Sequence, residues 1–284
     1  MTRLVAVVGS TAAGKSDFAL DLAEELGGEV VNADSMQLYR GMDIGTAKLP
    51  VAERRGVPHH LLDIWPVTRT ATLAEYQTLA LAAVADISGR GRVPILVGGS
   101  GMYVHAVVDR WDIPGTDERV RERLDAELAA VGAEALHARL SEVDPIAAAA
   151  ILPTNGRRIV RALEVVEMRG SFSATLPRFE PNPDVHLIGL RVGRDALDER
   201  IGGRVARMWD AGLVDEVRGL ERQGLREGRT ASRALGYAQV LDFLAGGCSE
   251  DEAREETVRA TRRFARRQES WFGRDPRIEW RPAG

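Results

Sequence analysis

The chain has 284 residues, 44% of them hydrophobic and 5% aromatic, with a formal net charge of −4. That length allows one or two domains with a real core. The charge excludes a protein that holds nucleic acid by bulk positive charge, so any RNA contact must come from local basic patches. A single cysteine, Cys248, excludes an internal disulfide and argues against a cysteine-based zinc site, as suits a reducing compartment.

Residues 4–8 form a short apolar run bounded by Gly9, the pattern of a buried central strand. Five apolar residues are too few for a signal peptide or a membrane span, and no long apolar segment follows. The expected location is therefore the cytoplasm, away from any membrane. Residues 15–26 carry Phe18, Ala19, Leu22, Ala23 and Leu26 at helical spacing, stopped by Gly27 and Gly28. A second strand is expected over 29–33, ending at Asp34. An alanine-rich helix is expected over 73–87, then a strand over 93–97 that ends in Gly98 and Gly99. Strands alternating with helices imply a parallel sheet covered on both faces.

The texture changes near Pro114. Helices are expected over 118–131, 133–140, 146–152 and 157–168, and Pro177, Pro181 and Pro183 then break the chain. Residues 185–190 (VHLIGL) return to the sheet. Helices are expected again over 197–211, 214–223, 232–244 and 251–272. The fold class is thus α/β: a core over 1–113 and 184–284, interrupted by a small all-helical insertion over 114–183.

Residues 9–16 read GSTAAGKS and match G-x-x-x-x-G-K-[ST] at every fixed position, between an expected strand and an expected helix. In such a loop, formed here by Gly9, Ser10, Thr11, Ala12, Ala13, Gly14, Lys15 and Ser16, backbone N–H groups face phosphate oxygens, aided by the positive helix end. Lys15 adds a mobile charge, and the Ser16 hydroxyl is placed to ligate Mg²⁺. The loop does not say which phosphate compound it holds. Asp34 ends the second strand, where an open parallel sheet faces its ligand crevice. It could bind Mg²⁺, accept a proton from a nucleophile, or simply cap a turn.

Arg157, Arg158 and Arg161 share one face of an expected helix, with Ile159, Val160 and Leu163 opposite. That face could grip phosphates or be merely solvated. Arg262, Arg263, Arg266 and Arg267 divide evenly between phosphate contact and ion pairing with Glu255, Glu256 and Glu269. Trp271 and Phe272 read as core more than as a stacking surface. His59 and His60 are adjacent, so on a strand they point to opposite sides and do not share a metal ion.

Residues 32–50, NADSMQLYRGMDIGTAKLP, resemble the second signature of tRNA dimethylallyltransferases, the isopentenyl-diphosphate:tRNA transferases. Similar strings follow in the family's order: VPHHLLDI (57–64), VPILVGGSGMY (93–103), RRIVRALEV (157–165), ASRALGYAQV (231–240) and TRRFARRQESWF (261–272). The resemblance, to the bacterial type, runs from residue 4 to about residue 280.

It implies a P-loop NTPase-like core with an inserted helical domain. It also implies that the loop holds dimethylallyl diphosphate, with Mg²⁺, rather than a nucleoside triphosphate. The exocyclic N6 amine of the adenine 3′-adjacent to the anticodon attacks the allylic carbon, and diphosphate leaves. That adenine must swing out of the anticodon-loop stack. By the same resemblance Asp34 is the general base, Ser100 (threonine in most relatives) bonds near the transferring group, and Arg233 balances the departing diphosphate. Asp34, Ser35, Met36, Gln37 and Ser100 touch the RNA beside the target base. Arg121 and the segment Arg157, Arg158, Ile159, Val160 and Arg161 touch it from the insertion. The expected partners are the anticodon stem-loop of tRNA and dimethylallyl diphosphate, and the default state is a monomer. Three rivals remain: a P-loop kinase, an adenylate isopentenyltransferase acting on free nucleotide, and a non-catalytic RNA-binding protein.

Overall fold

Strand β1 (Leu4–Gly9) is buried along its whole length and alternates between two cores. Leu4, Ala6 and Val8 face one side, and Val5 and Val7 face the other, as the two-residue period of a strand requires. A computed structural model describes residues 3–173, 179–180 and 182–283. Pro177 and Pro181, expected to break the chain, lie outside the described residues.

After β1 come α1 (Lys15–Leu26), β2 (Gly28–Asn32), β3 (His59–His60), α2 (Leu73–Gly89), β4 (Val93–Gly98) and α3 (Gly101–Val108). The chain continues through α4 (Glu118–Val143, broken at Gly132), α5 (Pro145–Ala149) and α6 (Gly156–Arg169). It ends with β5 (Val185–Arg191), α7 (Arg194–Asp210), α8 (Leu213–Glu221), α9 (Tyr237–Leu244), α10 (Glu250–Phe272) and β6 (Glu279–Pro282). The six strands form one sheet in the order β3-β2-β4-β1-β5-β6. Every pair is parallel. One face packs on α1, α7 and α10 through Ala19, Ala23, Leu197, Ile201 and Ala265. The other packs on α2, α3, α8 and α9, with Tyr39, Tyr76, Tyr237 and Phe272 fully buried. This is a P-loop NTPase-like α/β fold.

The chain divides into two compact units: Met1–Trp111 with Phe179–Gly284, and Asp112–Arg178. The second has its own core, including Leu124, Leu136, Leu140, Ile159, Val160 and Leu163.

Three features differ from the sequence reading. The helix expected over 232–244 begins only at Tyr237. Residues Ala231–Arg233 form a 3₁₀ turn, and Gly236, at φ 86°, takes a backbone conformation that other residues rarely adopt. Its N–H is held by Gln239 Oε1 at 2.9 Å. Helix α3 carried no amphipathic signal because Val104 to Val108 are all buried. The edge strands β3 and β6 are two and four residues long, too short for a periodic signal.

Candidate active site

The strand order decides what meets. β2, β4 and β1 are neighbours, so the segments leaving their C-terminal ends lie side by side. Those segments carry Asp34, Ser100 and the phosphate-type loop. The β2–β4 ladder extends one bond further, from Ala33 N–H to Val97 O at 2.7 Å.

Asp34 is held by its own turn. The buried Asn32 amide accepts from Asp34 N–H (2.9 Å) and donates to the Asp34 and Leu61 carbonyls, each at 3.0 Å. Asp34 Oδ1 accepts from Met36 N–H at 2.9 Å, and Oδ2 has no hydrogen bond among the described residues. Ser100 Oγ accepts from Ser35 N–H at 3.2 Å and lies 3.4 Å from Ser35 Oγ. Ser100 is therefore tied to the residue next to Asp34. Tyr76 donates to Asn32 O at 3.0 Å and packs on Tyr103, with ring centroids 4.4 Å apart. Burial first, then Tyr103 for Tyr76 and Tyr39 for Tyr103, then the charge of Asp34, raise both phenols. Tyr76 is fully buried, and both phenols feel the charge of Asp34.

The cationic side begins at the loop. Helix α1 is preceded by Gly14 at its N-cap, which offers no side-chain cap, so its first N–H groups are open to an anion. Lys15 is half-buried and donates to Ser10 O at 2.7 Å. Burial, then the charge of Arg204, lower its ammonium from 10.5 to about 8, against the opposing pull of Asp34. Arg204 is lowered by its own burial and by Arg207, and raised by Asp34. Two cations and one carboxylate thus act on one another in a space set for an anion.

Arg204 was not singled out by sequence. The signal was there: Leu197, Ile201, Val205 and Met208 form the buried stripe of α7, and Arg204 interrupts it. Its Nη2 donates to Thr46 O at 3.2 Å. Gln37 Nε2 donates to the same carbonyl at 3.1 Å. The loop carrying Thr46 is braced by Glu216, which accepts from the N–H groups of Asp43, Ile44 and Gly45 at 3.1, 2.8 and 3.3 Å. Buried Lys48 bonds Asp43 and Asp63, each at 2.6 Å.

Arg233 is exposed on the 3₁₀ turn, and the arginine charge that acts on Lys15 is that of Arg204. Thr11 N–H is taken by Gln268 Oε1 at 2.8 Å, so it does not face a phosphate. In the helical unit, Ile159 and Val160 are fully buried in the core. The expectation for that segment narrows to its arginines. Arg157 and Arg158 are exposed. Arg161 donates to Glu164 (2.8 Å), Gly115 O (2.9 Å) and Pro114 O (2.6 Å). Arg121 pairs with the same, fully buried Glu164.

On α10, Arg263 bonds Glu256 at 2.5 Å, Arg262 donates to Asp198 O at 3.1 Å, and Arg267 lies over Phe264. Phe272 is core, and Trp271 donates to His105 Nδ1 at 3.0 Å. His59 Nδ1 is 2.8 Å from Val57 O, and His60 Nε2 is 2.7 Å from Glu29.

Among the described residues, no group of three or more His, Cys, Asp or Glu could hold a metal ion. The exposed Ser16 at the start of α1 instead suits Mg²⁺ that arrives with phosphate and water oxygens. That ion commonly takes only one or two protein ligands.

The IPP transferase family model matches residues 37–275. The chain is 65% identical over 288 residues to a tRNA dimethylallyltransferase of Thermobifida fusca, covering 99% of this chain and 90% of that one. It is 66% identical over 279 residues to one of Streptomyces avermitilis, covering 98% and 89%. Its fold is similar to the crystal structure of the full-length tRNA isopentenylpyrophosphate transferase of Bacillus halodurans. There the TM-score is 0.74 and the identity 42%, over 100% of this chain and 90% of that one.

Proposed function

The chain belongs to the IPP transferase family, and from that premise we propose how its own residues prenylate tRNA. It is a transferase that moves a dimethylallyl group onto tRNA. The donor is dimethylallyl diphosphate, and the acceptor is the N6 amine of the adenine 3′-adjacent to the anticodon. One observation carries this reading. Lys15 follows β1, Asp34 follows β2, and Arg204 of α7 reaches the segment after β2 at Thr46 O (3.2 Å), so two cations and one carboxylate act on one another there. A leaving diphosphate and an amine that must lose a proton need that pairing of charges.

The N–H groups of Ala12, Gly14, Lys15 and Ser16 and the Lys15 ammonium hold the diphosphate; Ala13 N–H is turned to Ser10 O at 3.3 Å. Mg²⁺ on Ser16, when bound with it, offsets phosphate charge. Arg204 gathers the negative charge that grows on the leaving oxygen as the carbon–oxygen bond breaks. The amine nitrogen forms the new bond to the allylic carbon, and Asp34 Oδ2 takes its proton. Ser100, bonded to Ser35, orients the acceptor against Asp34. Tyr76 and Tyr103 keep water from the allylic carbon, which would otherwise be hydrolysed.

Gln37, Ser35 and Met36 contact the RNA beside the target base, and Arg157, Arg158, Arg121 and Arg161 serve its backbone. For charge balance we prefer Arg204 to Arg233, whose exposure suits RNA better than a shielded diphosphate. A cytoplasmic monomer completes the reading; among the described residues no helix is long and apolar enough to cross a membrane.

The test is a transfer assay with radiolabelled dimethylallyl diphosphate, Mg²⁺ and, separately, an anticodon stem-loop, AMP or no acceptor. Label on the stem-loop alone supports the reading, and Asp34→Ala is expected to lower kcat by about 10² to 10⁴. Label on AMP favours the adenylate enzyme. ATP consumption without label favours a kinase.

A further inference from the structure

Helix α10 carries a buried stripe that includes Thr261, Ala265 and Phe272, and Gln268 lies within it. Its side chain is only 6% exposed. Burying an amide is costly unless both ends are bonded, and here both are. Oε1 accepts from Thr11 N–H at 2.8 Å, and Nε2 donates to Gly99 O at 2.9 Å. The partners fix which end is which, because an N–H can only donate and a carbonyl can only accept.

These partners belong to the two segments that the transfer must keep in register. Thr11 opens the diphosphate loop. Gly99 precedes Ser100, which bonds Ser35 beside Asp34. Glycine at 99 leaves that amide its place: a Cβ there would run into Gln268 Nε2 and come within 3.3 Å of Gly9 O. One turn further along, Trp271 presses on Gly101 in the same way and donates to His105. α10 therefore grips the Gly99–Gly101 turn at two points and the diphosphate loop at one.

We propose that Gln268 is a positioning residue for prenyl transfer: its one amide sets the spacing between the diphosphate loop and the turn that carries Ser100. This rests on the reading above, that the loop holds the donor and Ser100 the acceptor side. Gln268 touches neither substrate. It turns Thr11 N–H away from the phosphates, which fixes the loop's entry and aims the later N–H groups. Through Gly99 it holds Ser100 at the height of Ser35 and Asp34. Donor and acceptor then meet at a distance fixed by a rigid side chain rather than by loop flexibility. In-line transfer is sensitive to such placement: an error near 1 Å costs up to about 100-fold.

The experiment uses the full chain and two variants, Gln268→Met and Gly99→Ala. For each, kcat and both KM values are measured with dimethylallyl diphosphate and an anticodon stem-loop. Affinity for inorganic diphosphate is measured by calorimetry, and the melting temperature is recorded. Gln268→Met keeps length and volume but makes neither bond. Its kcat per folded molecule is expected to fall about 10- to 100-fold. Inorganic diphosphate is expected to bind about tenfold more weakly, with KM for the stem-loop nearly unchanged. Gly99→Ala is expected to show the same split at smaller size, and the double variant less than the sum.

If Gln268→Met lowers only the melting temperature, with kcat and diphosphate affinity per folded molecule within about twofold of the parent, Gln268 is a packing residue and the proposal fails. If that variant does not fold, Gly99→Ala is judged by the same readouts. Absence of transfer by the parent protein overturns the assigned reaction instead, and the diphosphate titration still decides Gln268.

Discussion

The helical unit and the crevice of the α/β unit use charge in opposite ways. In the helical unit, arginines meet carboxylates: Arg121 and Arg161 share buried Glu164, Arg139 bridges Glu127 and Glu167, and Arg169 pairs with Asp112. In the crevice of the α/β unit, Lys15 and Arg204 donate to the carbonyls of Ser10 and Thr46, and both are lowered by burial. A cation matched by a carboxylate at rest helps hold the fold. A cation held by a carbonyl, its charge disfavoured by burial, keeps most of its interaction energy for an arriving anion. The same residue type is therefore structural where a carboxylate meets it, as at Arg121 or at Arg277 with Asp275, and poised for chemistry where only a carbonyl holds it in the crevice.

The largest expected effect breaks the structural side of that contrast. Glu164→Ala strands two arginines and the Asp117 N–H that Glu164 also accepts, at 3.1 Å. Breaking a buried pair costs about 3–5 kcal/mol. The low end is expected because both arginines keep some exposure, and it appears in a denaturation curve as a lower midpoint. Arg204→Gln does the reverse. It should lower kcat by about 10² to 10³ and leave the melting temperature unchanged or higher, since the folded state disfavours this charge. Arg233→Gln, measured beside it, should cost less in kcat. If Arg233→Gln is the more damaging, diphosphate balance belongs to Arg233 and the contrast loses its strongest member.

A pH titration sharpens the same point. Lys15 is lowered from 10.5 to about 8, so the folded protein releases its proton near pH 8 while the unfolded chain keeps it to 10.5. Its burial is unfavourable below pH 8, and stability from this residue rises between about pH 8 and 10.5. Diphosphate binding has the opposite sign, because the anion needs Lys15 charged. Affinity for inorganic diphosphate should weaken above pH 8 by up to about tenfold per unit, and Lys15→Arg should remove the part due to this residue. Calorimetry across pH 7 to 10 (values chosen about the Lys15 midpoint) reads both. The smallest effect is expected at the exposed rim of the insertion. Arg157→Gln should weaken stem-loop binding a few-fold and reduce the salt slope by about 0.7 to 0.9. An unchanged slope would remove Arg157 from the RNA contacts.

Much of this was legible before any fold was known. Local chemistry fixed the phosphate loop, because glycines, Lys15 and Ser16 at set spacing between a strand and a helix have one economical use. Asp34 was legible as a strand-end carboxylate, and the string at 32–50 carried the family. Ile159 and Val160 were legible as packing positions by periodicity, although the segment they sit in was expected to touch RNA as a whole. The start of α9 was misread because apolar spacing over 232–244 outweighed the single glycine at 236.

What sequence determined by itself was therefore the set of local parts: which segments are strands, which loop has the phosphate-binding pattern, which carboxylate stands at a strand end. Those follow from neighbours along the chain. Arg204 and Gln268 each stood in plain view as a polar residue inside an apolar helical stripe, a conflict that sequence can flag but not resolve. Their purpose depends on partners far away in the chain, Thr46 for one and Thr11 with Gly99 for the other. Only the tertiary structure shows those partners, because α7 and α10 pack on the sheet where the segments after β2, β4 and β1 meet. The cost of burying a charge or an amide then demands a use for each.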